Sequence, residues 1–163
     1  VKAAQILKNK HPHLRFQVAG DIYPANPNSL TREEMQAFHD QGIIEWLGQC
    51  NNMPEIIAAS TMMVLPSYYG EGVPKILLEA AAIGRPIITC DVPGCREAVE
   101  HDKNGLLIAP KNPEALATAI ENLISNPEKI LRFGKAGRNR VEEDFHVDYV
   151  VSQTLAIYNR MIC

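Results

Sequence analysis

Two glutamates, Glu71 and Glu79, stand with seven residues between them in the stretch Tyr68-Tyr69-Gly70-Glu71-Gly72-Val73-Pro74-Lys75-Ile76-Leu77-Leu78-Glu79-Ala80. An ionised carboxylate only accepts hydrogen bonds, so each suits a ligand rich in hydroxyls. Gly70 and Gly72 let a ligand approach the main chain closely. Pro74 fits the first turn of a helix, where its missing N–H is not needed. The amides of Gly72, Val73 and Lys75 then point out of a helix N-terminus, where free donors and a partial positive charge favour phosphate. The stretch is neither a P-loop nor a dinucleotide fingerprint. A carboxylate at Glu71 would repel phosphate unless it faces another part of the ligand. Two acceptors flanking a donor-rich turn therefore suit a diphosphate with a hydroxyl-rich sugar on each side, the layout of a nucleotide sugar. Singly, each glutamate reads better as a solvated surface residue; together on a strand–turn–helix at this spacing they favour the ligand. Lys75 could neutralise a phosphate or be a solvated first-turn lysine.

The rest of the chain must position this turn. Residues 1–10 read as a helix, with no strand before it. That order is unusual for an alternating chain and suggests a start inside a larger protein. Residues 14–20 alternate and end in glycine, as a strand does. A loop at 21–30 rich in Pro and Asn follows. Thr31-Arg32-Glu33-Glu34 has the spacing of a capping box and opens a helix that Gly42 ends. Residues 43–48 form a second strand, and Asn52 is expected to cap a short helix over 53–59. The apolar run 62–65 reads as a parallel strand covered on both faces. The central helix spans 74–83, a strand 86–90, a helical turn starts at 93–97, and Asn104-Gly105 turns into a strand over 106–108. Asn112-Pro113 and Asn126-Pro127 each begin a helix. Residues 145–161 form a last amphipathic helix. Strands alternating with helices predict an α/β domain over 1–163, a Rossmann-like doubly wound parallel sheet with C-terminal helices. Such sheets bind ligands at the carboxyl ends of their strands. Gly20, Gly48 and the turns at 67–72 and 91–94 all belong to that rim.

Composition narrows the function. The chain has 163 residues, 46% hydrophobic and 21% charged, with net charge −3. This balance gives no electrostatic case for nucleic acid. No apolar run approaches the roughly 20 residues that span a bilayer, and no signal peptide precedes the first helix. The four cysteines, Cys50, Cys90, Cys95 and Cys163, form no Cys-x-x-Cys pair. They read as reduced thiols of a cytosolic protein. The five histidines are scattered among polar neighbours, so no metal or catalytic role is expected of them. Tyr68 and Tyr69 read as rim packing, and Arg96 and Glu97 as a surface pair.

Residues 71–80 resemble the Glu-x7-Glu motif of retaining GT-B glycosyltransferases, family 4 in particular. The resemblance extends through Leu65-Pro66-Ser67, Gly84-Arg85-Pro86, Asp91-Val92-Pro93-Gly94-Cys95-Arg96-Glu97 and Asn104-Gly105-Leu106-Leu107. It implies the C-terminal, donor-binding half of a two-domain enzyme. By resemblance, Glu71 holds hydroxyls of the donor sugar and is the catalytic candidate. The amides of Gly70, Gly72 and Val73 border the diphosphate, Lys75 neighbours it, Glu79 holds the ribose, and Gly48, Gln49 and Cys50 lie beside the base. The family transfers sugar with retention and usually without a metal ion or other cofactor, from a donor expected here to be a UDP-sugar. A basic pair on the family's first strand and loop would lie ahead of Val1, as would the N-terminal acceptor domain. The isolated chain is therefore expected to bind donor weakly and to lack turnover. The last helix resembles the segment that packs back on the N-terminal domain. The implied setting is surface-polysaccharide or lipid-linked glycan synthesis in the cytoplasm, with peripheral membrane association at the inner face through the full-length protein. Alternatives are a nucleotide-sugar epimerase or phosphorylase of the same fold, or a non-catalytic nucleotide-binding module.

Overall fold

The computed structural model describes residues 1–23, 29–70 and 72–162. Helix α1 (Lys2–Lys8) leads to strand β1 (Gln17–Ala19), α2 (Arg32–Asp40), β2 (Glu45–Gly48) and α3 (Met53–Ala59). Then come β3 (Met63–Leu65), α4 (Lys75–Ala82), β4 (Ile87–Cys90), α5 (Cys95–Ala98) and β5 (Gly105–Ile108). Three helices close the chain: α6 (Pro113–Ile124), α7 (Pro127–Asp144) and α8 (Val147–Ile162).

All strand pairings are parallel, as the alternation of strands and helices predicts. The strands do not form one sheet. They form two, β1-β2 and β3-β4-β5. Helix α1 spans both. Its Ala3 and Leu7 enter a core with Ile88, Leu106 and Leu123, while Ala4 packs with Met35 and Ile44 beneath the smaller sheet. Burial follows this division. β4, the middle strand of three, is buried at every position, whereas β3 is half-buried throughout. The expectation that β3 is covered on both faces therefore fails, because it is an edge strand. Thr89 on β4 is buried, and its hydroxyl donates to the Leu65 carbonyl at 2.8 Å, tying the two strands at their carboxyl ends.

Local chemistry sets the helix starts. Thr31 and Glu34 make both halves of the capping box. Asn112 and Asn126 each accept a backbone N–H two residues into the helix that follows. Asn52 stands at the start of α3 without a side-chain capping bond, and Pro74 is the extended residue before α4 rather than its first turn. Arg96 pairs with Asp91 rather than with Glu97, whose carboxylate accepts from the Gly94 amide. His39 and His101 each accept a strand N–H, from Trp46 and Leu107, so both rings serve as structural ties. No described helix is long and apolar enough to cross a membrane.

Candidate functional site

The carboxyl ends of β2, β3 and β4 gather the predicted turns. α4 starts at Lys75, ten residues after β3 ends at Leu65, and its inner face of Leu77, Ala80 and Ala81 is buried. That face fixes the helix against α3, β4 and α7. Its other side carries Lys75 and Glu79, one turn apart, with an N–O distance of 3.2 Å. Lys75 is 89% exposed and Glu79 33%. Lys75, expected beside the diphosphate, and Glu79, expected at the ribose, therefore hold one another. The Leu77 amide donates to the Pro74 carbonyl at 3.0 Å. Among the described residues nothing accepts from the amides of Gly72, Val73 or Lys75, which leaves donors at the start of an eight-residue helix.

Space matches chemistry at this turn. A Cβ at Gly70 or Gly72 would meet nothing within 4 Å, so the main chain is open to approach. Glu71 lies outside the described residues. Across the rim, Gly48 closes β2 with φ +65° and accepts the Gly20 amide at 2.8 Å. The Cys50 thiol folds back on the Gly48 carbonyl at 3.4 Å, and Gln49 is exposed. Thus Gly48, Gln49 and Cys50 form a tight turn at the end of one sheet. Gly70, Gly72, Val73, Lys75 and Glu79 form another at the end of the second.

The profile described as glycosyl transferases group 1 matches residues 1–140. The chain belongs to this family. It is 30% identical over 162 residues to N,N'-diacetylbacillosaminyl-diphospho-undecaprenol alpha-1,3-N-acetylgalactosaminyltransferase of Campylobacter jejuni, covering 99% of this chain and 40% of that protein. Its fold matches that of Anabaena HepE in complex with UDP, with a TM-score of 0.86 at 22% identity over 98% of this chain and 44% of the other. It also matches the C-terminal domain of the group 1 protein LpcC from Francisella tularensis, with a TM-score of 0.77 at 24% identity over 90% of this chain and 77% of that domain. The group 1 chain spans less than half the length of the curated relatives it matches, from 16% to 47% of each.

Other groups on the group 1 chain's rim were less visible in the sequence. The Arg96 guanidinium donates to the Asp91 carboxylate and carbonyl, and this pairing raises its already high pKa. Tyr68 and Tyr69 are exposed and stacked on each other rather than packed into the rim. Lys111 reaches Tyr68 from the loop after β5. No spacing or motif marks Lys111, because its role depends on a contact between loops 43 residues apart in sequence. The thiols of Cys50, Cys90 and Cys95 are free, and burial pushes Cys90 up, away from the reactive thiolate. Among the described residues no three His, Cys, Asp or Glu side chains gather as metal ligands do.

Proposed function

We propose that this chain is the donor-binding half of a retaining GT-B glycosyltransferase of family 4, using a UDP-sugar. The observation that carries the proposal is the start of α4. The amides of Gly72, Val73 and Lys75, which no described residue accepts from, lead into the helix that carries Glu79, on the carboxyl rim of a parallel sheet, with open space over Gly70 and Gly72. The diphosphate sits on these amides and Glu79 takes the ribose hydroxyls. Gly48, Gln49 and Cys50 border the base, and Glu71 holds hydroxyls of the sugar as the catalytic candidate.

The Lys75–Glu79 pair gives the site a way to respond. An exposed pair of this kind contributes little, about 0–1 kcal/mol. A diphosphate offers Lys75 a stronger partner. Its departure frees Glu79 for the ribose. As the sugar leaves, charge grows on the β-phosphate, and the fixed amides of α4 and Lys75 stabilise that charge without reorganisation. This chemistry needs no metal or other cofactor, because amides and an ammonium carry the leaving group's charge.

The split sheet supports the view that residues 1–163 are part of a larger unit. In a doubly wound order such as 3-2-1-4-5-6, one parallel strand belongs between the positions of β1 and β3. That strand, its basic pair and an acceptor domain complete the enzyme, and the chain alone binds donor weakly and does not turn over. The exposed apolar face of α8, with Val151, Leu155 and Tyr158, supports its docking on the acceptor domain. The Campylobacter relative's name supports a lipid-linked acceptor. A full-length protein working on such an acceptor would act in the cytoplasm, peripherally on the inner membrane face.

Thermal shift with UDP and UDP-sugars tests the assignment of roles. Glu71→Ala should erase the extra stabilisation that the sugar adds to UDP while leaving the UDP shift intact. Glu79→Ala should reduce the shifts from both. Equal loss of every ligand in Glu71→Ala removes the sugar-holding role.

A further inference from the structure

The rim above β3, β4 and β5 carries a second group of side chains that the donor site does not use. Tyr68 and Tyr69 follow β3. Their ring centroids are 4.4 Å apart with planes tilted by 33°, and their hydroxyls are 3.2 Å apart. They remain 37% and 48% exposed. Lys111 arrives from the loop after β5, with its ammonium 4.6 Å from the centre of the Tyr68 ring. No carboxylate among the described residues forms an ion pair with Lys111. Its backbone is held at φ 57°, a left-handed conformation that a non-glycine residue adopts at a cost in energy. The Tyr69 hydroxyl raises the Tyr68 pKa, so no phenolate neutralises the lysine.

We propose that Tyr68, Tyr69 and Lys111 form a binding site for one sugar ring bearing an anionic substituent, beside the donor turn. The proposal rests on the donor reading above. An exposed aromatic face receives the apolar face of a sugar ring, and tyrosines already stacked lose little freedom when it lands. The ammonium beside them gains a charge-assisted hydrogen bond from a carboxylate or phosphate. A bare anion would use the lysine but has no need of two exposed rings. A neutral sugar would use the rings but has no need of a cation that no described carboxylate pairs with. Nucleic acid fits poorly, since the exposed Asp91 stands on the same rim and the chain's net charge is −3. Tyr68 precedes Glu71 by three residues, a span of at most about 11 Å. A site at Tyr68 is therefore a near neighbour in the chain of the residue proposed to hold the transferred sugar.

Saturation-transfer NMR tests this with the donor turn filled by excess UDP and four probes: glucose, glucuronate, glucose 1-phosphate and inorganic phosphate. At least one anionic sugar should bind about fivefold or more tighter than glucose, with transfer from tyrosine protons. Preference for glucuronate assigns the substituent as a carboxylate, and preference for glucose 1-phosphate assigns a phosphate. Lys111→Met should bring the favoured probe to the level of glucose. Lys111→Gly removes the same charge while relieving the left-handed backbone, so it keeps the fold and should give the same loss. UDP affinity should be unchanged in both variants. The proposal is overturned if glucose binds as well as either anionic sugar, if both variants retain the preference, or if inorganic phosphate at equal concentration displaces the sugars completely. Absence of UDP binding in wild type would remove the donor reading instead, and the sugar site would still stand or fall on wild type against Lys111→Gly.

Discussion

At the scale of single residues, the site turns on which partner each charge keeps. Lys75 and Glu79 sit one helical turn apart, and their 3.2 Å pair is largely solvated. Lys75→Met should leave the melting temperature within about 2 °C of wild type, because an exposed pair contributes little. The same substitution should weaken UDP several-fold, read by calorimetry, because the diphosphate loses its cation. A change in stability without a change in UDP affinity would make the lysine a structural residue. The place of Lys75 and Glu79 on one helix was legible in the sequence because the apolar pattern after Pro74 marks that helix, on which four residues make about one turn. Lys111 was not, since its left-handed backbone and its place over Tyr68 arise from how the loops after β3 and β5 meet. The Asp91–Arg96 pair was illegible for a similar reason: Glu97 is the neighbour of Arg96 in the chain, but the carboxylate that reaches it sits just past the end of β4.

At the scale of elements, α4 must be held still for its amides to form a site. It has only eight residues. Isolated helices below roughly 12–15 residues are marginal in water, so packing decides. The packing partner is α7, whose Gly134 lies against the backbone of Gly84, the residue that turns the chain out of α4 with φ +76°. At Gly137 an added Cβ would stand 3.4 Å from the Ala81 Cβ, an ordinary contact. A glycine inside a helix costs about 1 kcal/mol relative to alanine, and close approach to α4 explains Gly134. A Cβ on Gly134 would drive into the Gly84 carbonyl. Gly134→Ala should therefore destabilise the fold by about 1–3 kcal/mol, seen as a lower denaturation midpoint, despite the better helix propensity of alanine. A higher midpoint would mean that the two helices part easily. The caps at Thr31, Asn112 and Asn126 were readable because the chemistry is local. Asn52 failed as a cap although it has the right residue type and place, because its side chain makes no bond to the turn it precedes.

At the scale of the whole molecule, the parallel α/β architecture was readable from the alternation of elements, but the division into two sheets was not. Periodicity gives each strand's faces and says nothing of its edges. The split shows as the half-buried β3 and as α1 bridging two cores through Ala3, Leu7 and Ala4. The proposed donor site crosses that division, with Gly48, Gln49 and Cys50 on one sheet's rim and Gly72, Val73 and Lys75 on the other's. The most direct test is amide NMR of the chain during titration with UDP. The largest shifts are predicted at Gly72, Val73 and Lys75, with a second set at Gln49 and Cys50. Shifts confined to the cavity at the opposite strand ends, lined by Phe16, His39 and Ile44, or no shifts at all, would contradict a donor site at the start of α4.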